Sequence, residues 1–321
     1  MSISIVRFVV DADQQPRWGV LNANQVVAIN LPCTSTGELL AYDHASLWAA
    51  ADGETFALSQ VLLLSPITQQ AKVLCQGANY RQHMIDSGMN PDDKRFNMFF
   101  TKSSASIHHP TGQIIKPAHV SLLDYEIELT LVIKKSTDRP VQINATNLHE
   151  YVAGICIGND ISARCVQIPQ MQFHKGKSYR TFCPLGPVLC LLERDELDYL
   201  DDLQLTLTVN GDIRQSDSTA NLVFKPAETL QEYSQIVDFA AGDVLMTGTP
   251  SGCALGLPKP AVVRATGLLP DAVRFGLFVK SQQRRPQYLK AGDVVESRMV
   301  SRDGKINLGV QRHAIVDGEP S

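Results

Sequence analysis

From Lys72 onward the apolar stretches of this chain are only five to eight residues long and are bounded by Gly, Pro, Asn and Asp, which leaves little room for long helices. Residues 125–133, 187–192, 203–209, 243–246 and 293–297 read as strands, and Ala-Gly precedes both of the last two, a turn feeding a strand. Helical periodicity is confined to 79–87, 147–151 and 229–239, the last with Leu230, Tyr233, Ile236 and Val237 on one face. Before Lys72, residues 3–10, 17–21 and 25–29 alternate as a small meander with turns at 11–16 and 22–24. A short apolar run, 61–64, then ends at Ser65-Pro66. The expectation is a β-rich α+β chain in two parts: a small N-terminal β-rich domain over 1–68 and a larger domain over 69–321.

Composition narrows the classes. With 44% apolar and 19% charged residues in 321, the chain can bury a sizeable core. Twenty-nine Lys and Arg against 33 Asp and Glu give a formal charge of −4, so no broad cationic field is present and neither nucleic acid nor an anionic membrane is an expected partner. Seven cysteines, odd in number and never spaced C-x-x-C, read as buried thiols of a reducing compartment. The apolar N-terminal run is cut by Asp11, and no stretch approaches the roughly 20 apolar residues that cross a bilayer. The expected setting is the cytoplasm.

The richest stretch chemically is Asp124-Tyr-Glu-Ile-Glu-Leu-Thr-Leu-Val-Ile133. On a strand, residues two apart share a face, so Glu126 and Glu128 project side by side while Ile127, Leu129, Leu131 and Ile133 make the other face apolar. Two readings fit: a solvated strand edge with two charges, or a pair of partly buried anions held together by a cation. All-oxygen ligation favours Mg²⁺ or Mn²⁺, with Ca²⁺ also admitted, over zinc. Asp160, where an apolar run ends in Gly158-Asn-Asp-Ile-Ser-Ala-Arg164, reads alone as a helix N-cap; with the two glutamates it completes a three-carboxylate set. His83 and Asp86, three apart at the start of a helical stretch, are either a surface ion pair or a carboxylate-oriented general base.

Other motifs fail. Gly176-Lys-Ser178 resembles the end of a phosphate loop, but Met171 stands where the loop needs Gly. His149-Glu150 has no second His four residues on, and no Gly-x-Ser-x-Gly elbow occurs. Nucleotide hydrolysis, zinc proteolysis and serine esterase chemistry all lose support.

Taken in order, Gly77-Ala-Asn-Tyr-Arg-Gln-His83, Asp124-Tyr-Glu-Ile-Glu-Leu129, Gly158-Asn-Asp-Ile-Ser-Ala-Arg164, Gly176-Lys-Ser178, Cys183-Pro-Leu-Gly-Pro187, Val209-Asn-Gly211, Thr247-Gly-Thr-Pro-Ser-Gly252 and Gly292-Asp-Val-Val-Glu296 resemble the fumarylacetoacetate hydrolases from about Lys72 to the C-terminus. The resemblance implies a mixed β-roll catalytic domain, a homodimer, and Mg²⁺ or Mn²⁺ on Glu126, Glu128 and Asp160. It also implies His83, with Asp86, as the base, Lys177 as enolate stabiliser, and Arg164, Gln167, Gly248 and Thr249 as contacts around a small keto-acid substrate. Two departures stand out. Cys165 occupies a position where the family commonly has Asp, and residues 254–286 form a longer, basic insertion, read as a mobile flap or as a solvated loop. The activity implied is hydrolysis of a carbon–carbon bond in a β-diketo acid such as an acylpyruvate or a fumarylacetoacetate-like compound, in aromatic-compound catabolism. The alternatives are decarboxylation or tautomerisation of a related keto-diacid, and a silent ligand-binding homologue.

Overall fold

The structure, a computed structural model, describes residues 2–10, 14–256 and 260–319; Asp11 of the first turn and Lys259 of the basic segment lie outside them. Two sheets dominate. In the larger, Val73–Gly77, Val244–Met246, Ile127–Ile133, Val152–Asn159 and Leu189–Leu191 lie side by side in that order, with Met98–Lys102 at one edge. The small N-terminal module proposed over 1–68 joins this sheet directly, because Ile3–Val10 pairs antiparallel with Leu189–Leu191. The second sheet runs Asp212–Ser218, Leu203–Val209, Val294–Ser301, Asn307–Asp317, Thr111–Lys116. Both sheets are mixed: Val244–Met246 runs parallel to Val73–Gly77, and Asn307–Asp317 parallel to Thr111–Lys116.

The expected alternation along 125–133 is present, but both faces are covered. Ile127, Leu129, Leu131 and Ile133 share one core with Leu203, Leu205, Leu207, Val295 and Met299 of the second sheet. Val132, on the other face, packs with Cys75, Cys156 and Met246. Each wholly buried Leu or Ile here contributes about 1.5–3 kcal/mol relative to exposure. A central strand buried on both faces makes polar residues on it costly unless they are partnered. Glu126 and Glu128 therefore sit in a place that demands compensation.

Three helical expectations are corrected. The 79–87 stretch is helical only over Arg81–Asp86, because Tyr80 is extended and bridged to Leu222. The 147–151 stretch is a single 3₁₀ turn, Leu148–Glu150. The 229–239 helix instead spans Pro226–Tyr233. Proline suits the first helical position, where its missing N–H has no partner to lose. At the other end Ser234 Oγ turns back to Gln231 O at 2.7 Å and accepts Val141 N–H at 3.1 Å, so the helix stops and Ile236 is left exposed.

The basic segment is not a loop where it is described. It forms two helices, Pro260–Thr266 and Asp271–Gln282, with prolines at or just before their starts rather than inside them. Its end is fastened: Gln282 accepts from Gly256 N and donates to Gly256 O, and Arg285 Nε donates to Ala254 O at 2.9 Å. No helix among the described residues is long and apolar enough to cross a membrane.

Candidate active site

Strand pairing assembles the three carboxylates. Ile127 lies opposite Asn159 and Glu128 opposite Gly158, and the ladder runs one step further, with Asp160 N donating to Glu126 O at 2.8 Å. One ligand oxygen from each of Glu126, Glu128 and Asp160 lies within 4.8 Å of the others. At 5%, 2% and 0% exposed, they rule out the solvated strand edge.

Cationic groups surround this cluster. Lys177, at the end of the Phe173–Lys177 helix, donates to Glu126 Oε2 at 2.6 Å and to Asp160 Oδ2. Lys102 donates to Asp160 Oδ1 at 2.5 Å and to the carbonyls of Phe182 and Ile161 at 2.8 and 3.3 Å. Arg164 spreads its guanidinium over Asp124 Oδ2 and Gln167 Oε1, each at 2.8 Å, and over Glu126 Oε1. Four buried carboxylates, counting Asp124, thus face three buried cations, and one negative charge is left over.

The imbalance falls on Glu128. Burial, then the charges of Asp160 and Glu126, push its carboxyl well above the usual range, and Gly248 N–H at 2.8 Å only partly opposes them. Burial also works against the charge of Glu126, yet Arg164 and Lys177 outweigh it and hold that carboxyl well below the usual range. Burial likewise disfavours the Lys177 ammonium, but Asp160 and Glu126 keep it charged. A cluster of hard oxygens with surplus negative charge, sheltered from water, fits a divalent cation; Glu126, Glu128 and Asp160 would hold it.

His83 lies half-buried on the Arg81–Asp86 helix. Burial lowers its pKa below the ordinary histidine value; Glu126 opposes that shift and Arg164 reinforces it, so the ring is within reach of the cluster's field. Asp86 acts on it through charge, opposing the downward shift, and not through the expected hydrogen bond. Its carboxylate accepts from Gln82 Nε2 at 2.9 Å and from Ser251 Oγ, and among the described residues no hydrogen bond joins it to His83. On a short exposed helix end, the nearer hydroxyl and amide capture the shorter Asp side chain. Asn79 sets the helix in place, donating to Gln76 Oε1, Phe224 O and Thr247 O and accepting from Phe224 N.

The Thr247–Gly252 loop closes the other side. Gly248 adopts φ +90°, and a Cβ there would stand 3.0 Å from Asn79 Cβ, so its N–H reaches Glu128 only because the residue is glycine. Gly252, at φ +110°, passes so near Arg214 O that a side chain would collide with it. The Thr249 hydroxyl donates to Ile127 O at 2.9 Å and accepts from Gln215 Nε2 at 2.8 Å.

Sequence reasoning missed Lys102, Asp124 and Gln215. Lys102 ends the apolar Met98–Lys102 strand, a signal in itself, since a lysine closing such a run is wholly buried only when paired. Asp124 was quoted within its motif but given no role. It accepts from Arg164, Tyr125 N, Ala254 N and Leu255 N, so Arg164 takes its support from Asp124 and Gln167, and Cys165 does not replace a needed acid. Cys165 instead borders a cavity of about 900 Å³, with Met171 on one side and Phe275 and Val279 of the inserted helix on the other.

The family model for the fumarylacetoacetate (FAA) hydrolase C-terminal domain matches residues 72–316. The chain belongs to the fumarylacetoacetate hydrolase family. Within it, the chain is 38% identical over 213 residues to oxaloacetate tautomerase YisK of Bacillus subtilis, covering 65% of this chain and 69% of that protein. It is 34% identical over 253 residues to the mitochondrial oxaloacetate tautomerase FAHD2A of Homo sapiens, 77% of this chain and 78% of that one. A solved structure of a probable 2-hydroxyhepta-2,4-diene-1,7-dioate isomerase from Mycobacterium abscessus matches over 100% of both chains, with a TM-score of 0.73 and 30% identity. The chain is thus an enzyme of the fumarylacetoacetate hydrolase family, and these relatives favour isomerase chemistry over the hydrolysis put first from sequence.

Proposed function

We propose that this enzyme is a divalent-metal-dependent tautomerase of a short keto-diacid of the oxaloacetate class. The observation that carries the reading is the name shared by relatives 34–38% identical across the catalytic region. The geometry supports it. Hydrolysis needs a base oriented to activate water, and Asp86, the expected orienter, is engaged by Ser251 and Gln82. Tautomerisation needs only a proton moved between a carbon and the neighbouring oxygen: one C–H bond breaks, one O–H bond forms, and neither water nor an oxidant is consumed.

Glu126, Glu128 and Asp160 would hold a divalent cation, which when bound would supply positive charge that acidifies the carbon beside the carbonyl of an α-keto acid. The chain's own groups then divide the work. Neutral His83 takes or returns the proton at carbon, since burial keeps its ring uncharged near neutral pH. The Lys177 ammonium stabilises negative charge growing on the enolate oxygen. Arg164, its Nε, Nη1 and Nη2 all committed, holds Glu126 and Gln167 in place. The homodimer is part of the same proposal, to be checked by light scattering.

The test is product analysis on metal-depleted protein reloaded with Mn²⁺. We expect faster decay of the enol absorbance of oxaloacetate, no acetate from acetylpyruvate and no carbon dioxide from oxaloacetate beyond that released by Mn²⁺ alone. Release of acetate and pyruvate from acetylpyruvate, with the oxaloacetate tautomers left at their spontaneous rate, would replace this reading by the hydrolase.

A further inference from the structure

The two peptide units that flank Ile127 carry the geometry of the candidate metal set. Ile127 separates Glu126 from Glu128, so the orientation of its backbone decides whether the two carboxylates converge. It lies at the first rung of its strand, next to Glu126, whose N–H donates to Asn159 Oδ1 at 3.0 Å and whose carbonyl accepts from Asp160 N. The Ile127 N–H donates to Gln215 Oε1 at 3.0 Å, Gln215 Nε2 donates to Thr249 Oγ1 at 2.8 Å, and the Thr249 hydroxyl donates back to Ile127 O at 2.9 Å. The three bonds form a closed ring. Gln215 anchors it further by donating to Pro250 O at 2.8 Å.

Gln215 and Thr249 are 1% and 3% exposed, and they come from different parts of the fold: Gln215 from the edge strand of the second sheet, Thr249 from the loop whose Gly248 N–H holds Glu128. A buried glutamine whose acceptor and both donor hydrogens are used costs little to bury and resists rotation. We propose that Gln215 is a positioning residue, which through this ring fixes the two peptide units on either side of Ile127 and so sets the spacing of Glu126 and Glu128 for the divalent cation. The inference rests on the metal-site reading above and adds to it a residue on the sheet that bears none of the three ligands. Residues that orient metal ligands from behind commonly change metal affinity about 10- to 100-fold when removed.

The experiment measures Mn²⁺ binding by isothermal titration, without substrate, on Gln215→Met, Thr249→Val, the double variant and Gln311→Met. The last is a control for packing. Gln311 is equally buried, also in the second sheet, and also crosses to the first, donating to Ile157 O, Pro184 O and Gly186 O, yet it touches no ligand-bearing peptide. The expected result is a Kd raised about 10-fold or more in each ring variant, raised no further in the double variant because both act through one ring, and unchanged in Gln311→Met. Multiplying effects in the double variant, an unchanged Kd in Gln215→Met, or equal weakening in Gln311→Met would overturn the proposal. If Gln215→Met fails to fold by circular dichroism, Thr249→Val against Gln311→Met decides alone. Parent protein that binds no Mn²⁺ would sink the metal-site reading itself, a result distinct from variants that bind like the parent.

Discussion

Lys102 Nζ lies 2.5 Å from Asp160 Oδ1, and both side chains are wholly shielded from solvent. The ammonium also meets the Phe182 and Ile161 carbonyls, so its three hydrogens are all used inside the protein. One oxygen of Asp160 is thereby committed, and the other is turned toward Glu126 and Lys177. Breaking such a pair from one side leaves a buried charge uncompensated, at a cost of about 3–5 kcal/mol. Lys102→Met should lose stability of that order in urea melts. A loss under about 1 kcal/mol would mean that Asp160 finds water or another cation.

Glu128 makes the opposite prediction. Burial and the charges of Asp160 and Glu126 favour a proton on its carboxyl when no cation is bound, opposed by Lys177 and by Gly248 N–H, so ionising it is costly in the folded state. Glu128→Gln keeps an oxygen for Gly248 and removes the repulsion from Asp160 and Glu126. In the presence of a chelator the variant should be more stable than the parent, by about 0.5–2 kcal/mol, and should bind Mn²⁺ too weakly to titrate. Thermal melts and calorimetry on one preparation check both halves. A variant that is less stable and still binds metal would show that Glu128 is compensated in a way its surroundings do not provide.

Much of this arrangement was legible in the sequence wherever a residue's partners lie within its own element. Leu203–Val209 has the bounds expected from alternation, because it buries one clear face. Ile3–Val10 also has the expected bounds, with buried residues on both faces, while Val61–Leu64, read as an apolar run leading into the larger domain, is a strand paired with Ile3–Val10. Glu126 and Glu128 were found by a period of two on an apolar strand, whereas Asp160 was found by its place where another apolar run ends. Asp212–Ser218 was not read as a strand, since an edge strand facing water on one side carries Ile213 as its single large apolar residue. With it went Gln215, whose importance comes only from reaching a peptide 88 residues away. Asp86 interacts with His83 through charge but spends its hydrogen bonds elsewhere. Its spacing from His83 is right, but spacing cannot reveal Ser251, which competes for the same carboxylate from 165 residues along the chain. The inserted helices were hidden by their own prolines, which mark helix starts as readily as loops.

His83 ties the proposed chemistry to pH. Burial holds its pKa below the ordinary 6.5, so the ring stays neutral and able to accept a proton into mildly acidic solution. The acid limb of kcat/KM should therefore lie below pH 6.5. His83→Ala should keep Mn²⁺ affinity near the parent value and lose turnover by about 100-fold or more, the usual worth of a general base. Rate profiles of oxaloacetate tautomerisation between pH 5 and 8 test this. A parent-like rate in the variant would remove His83 from the mechanism.

A second histidine bears on stability alone. His313, 1% exposed on the Asn307–Asp317 strand, donates from Nε2 to His109 O at 2.9 Å, with the His108 ring 5.7 Å away. Burial lowers its pKa to about 4; the bond to His109 O opposes the shift, while His108 and His109 add to it. Because the folded value lies below the unfolded value of 6.5, the unfolded chain binds the extra proton as pH falls. The contribution is complete above pH 6.5 and is lost as pH drops toward 4, amounting to about 3 kcal/mol over that window. His108 and His109 are also lowered, by burial first, so they act in the same direction. Carboxylates in buried ion pairs steepen acid unfolding too, so the parent slope alone is not diagnostic. The difference between parent and His313→Gln isolates this group: urea melts at pH 7, 5.5 and 4.5 should show the stability gap between them shifting steadily in the variant's favour with acidity. A gap that stays constant across the three conditions would show that His313 does not remain neutral when buried, and that its site accepts the proton with the fold intact.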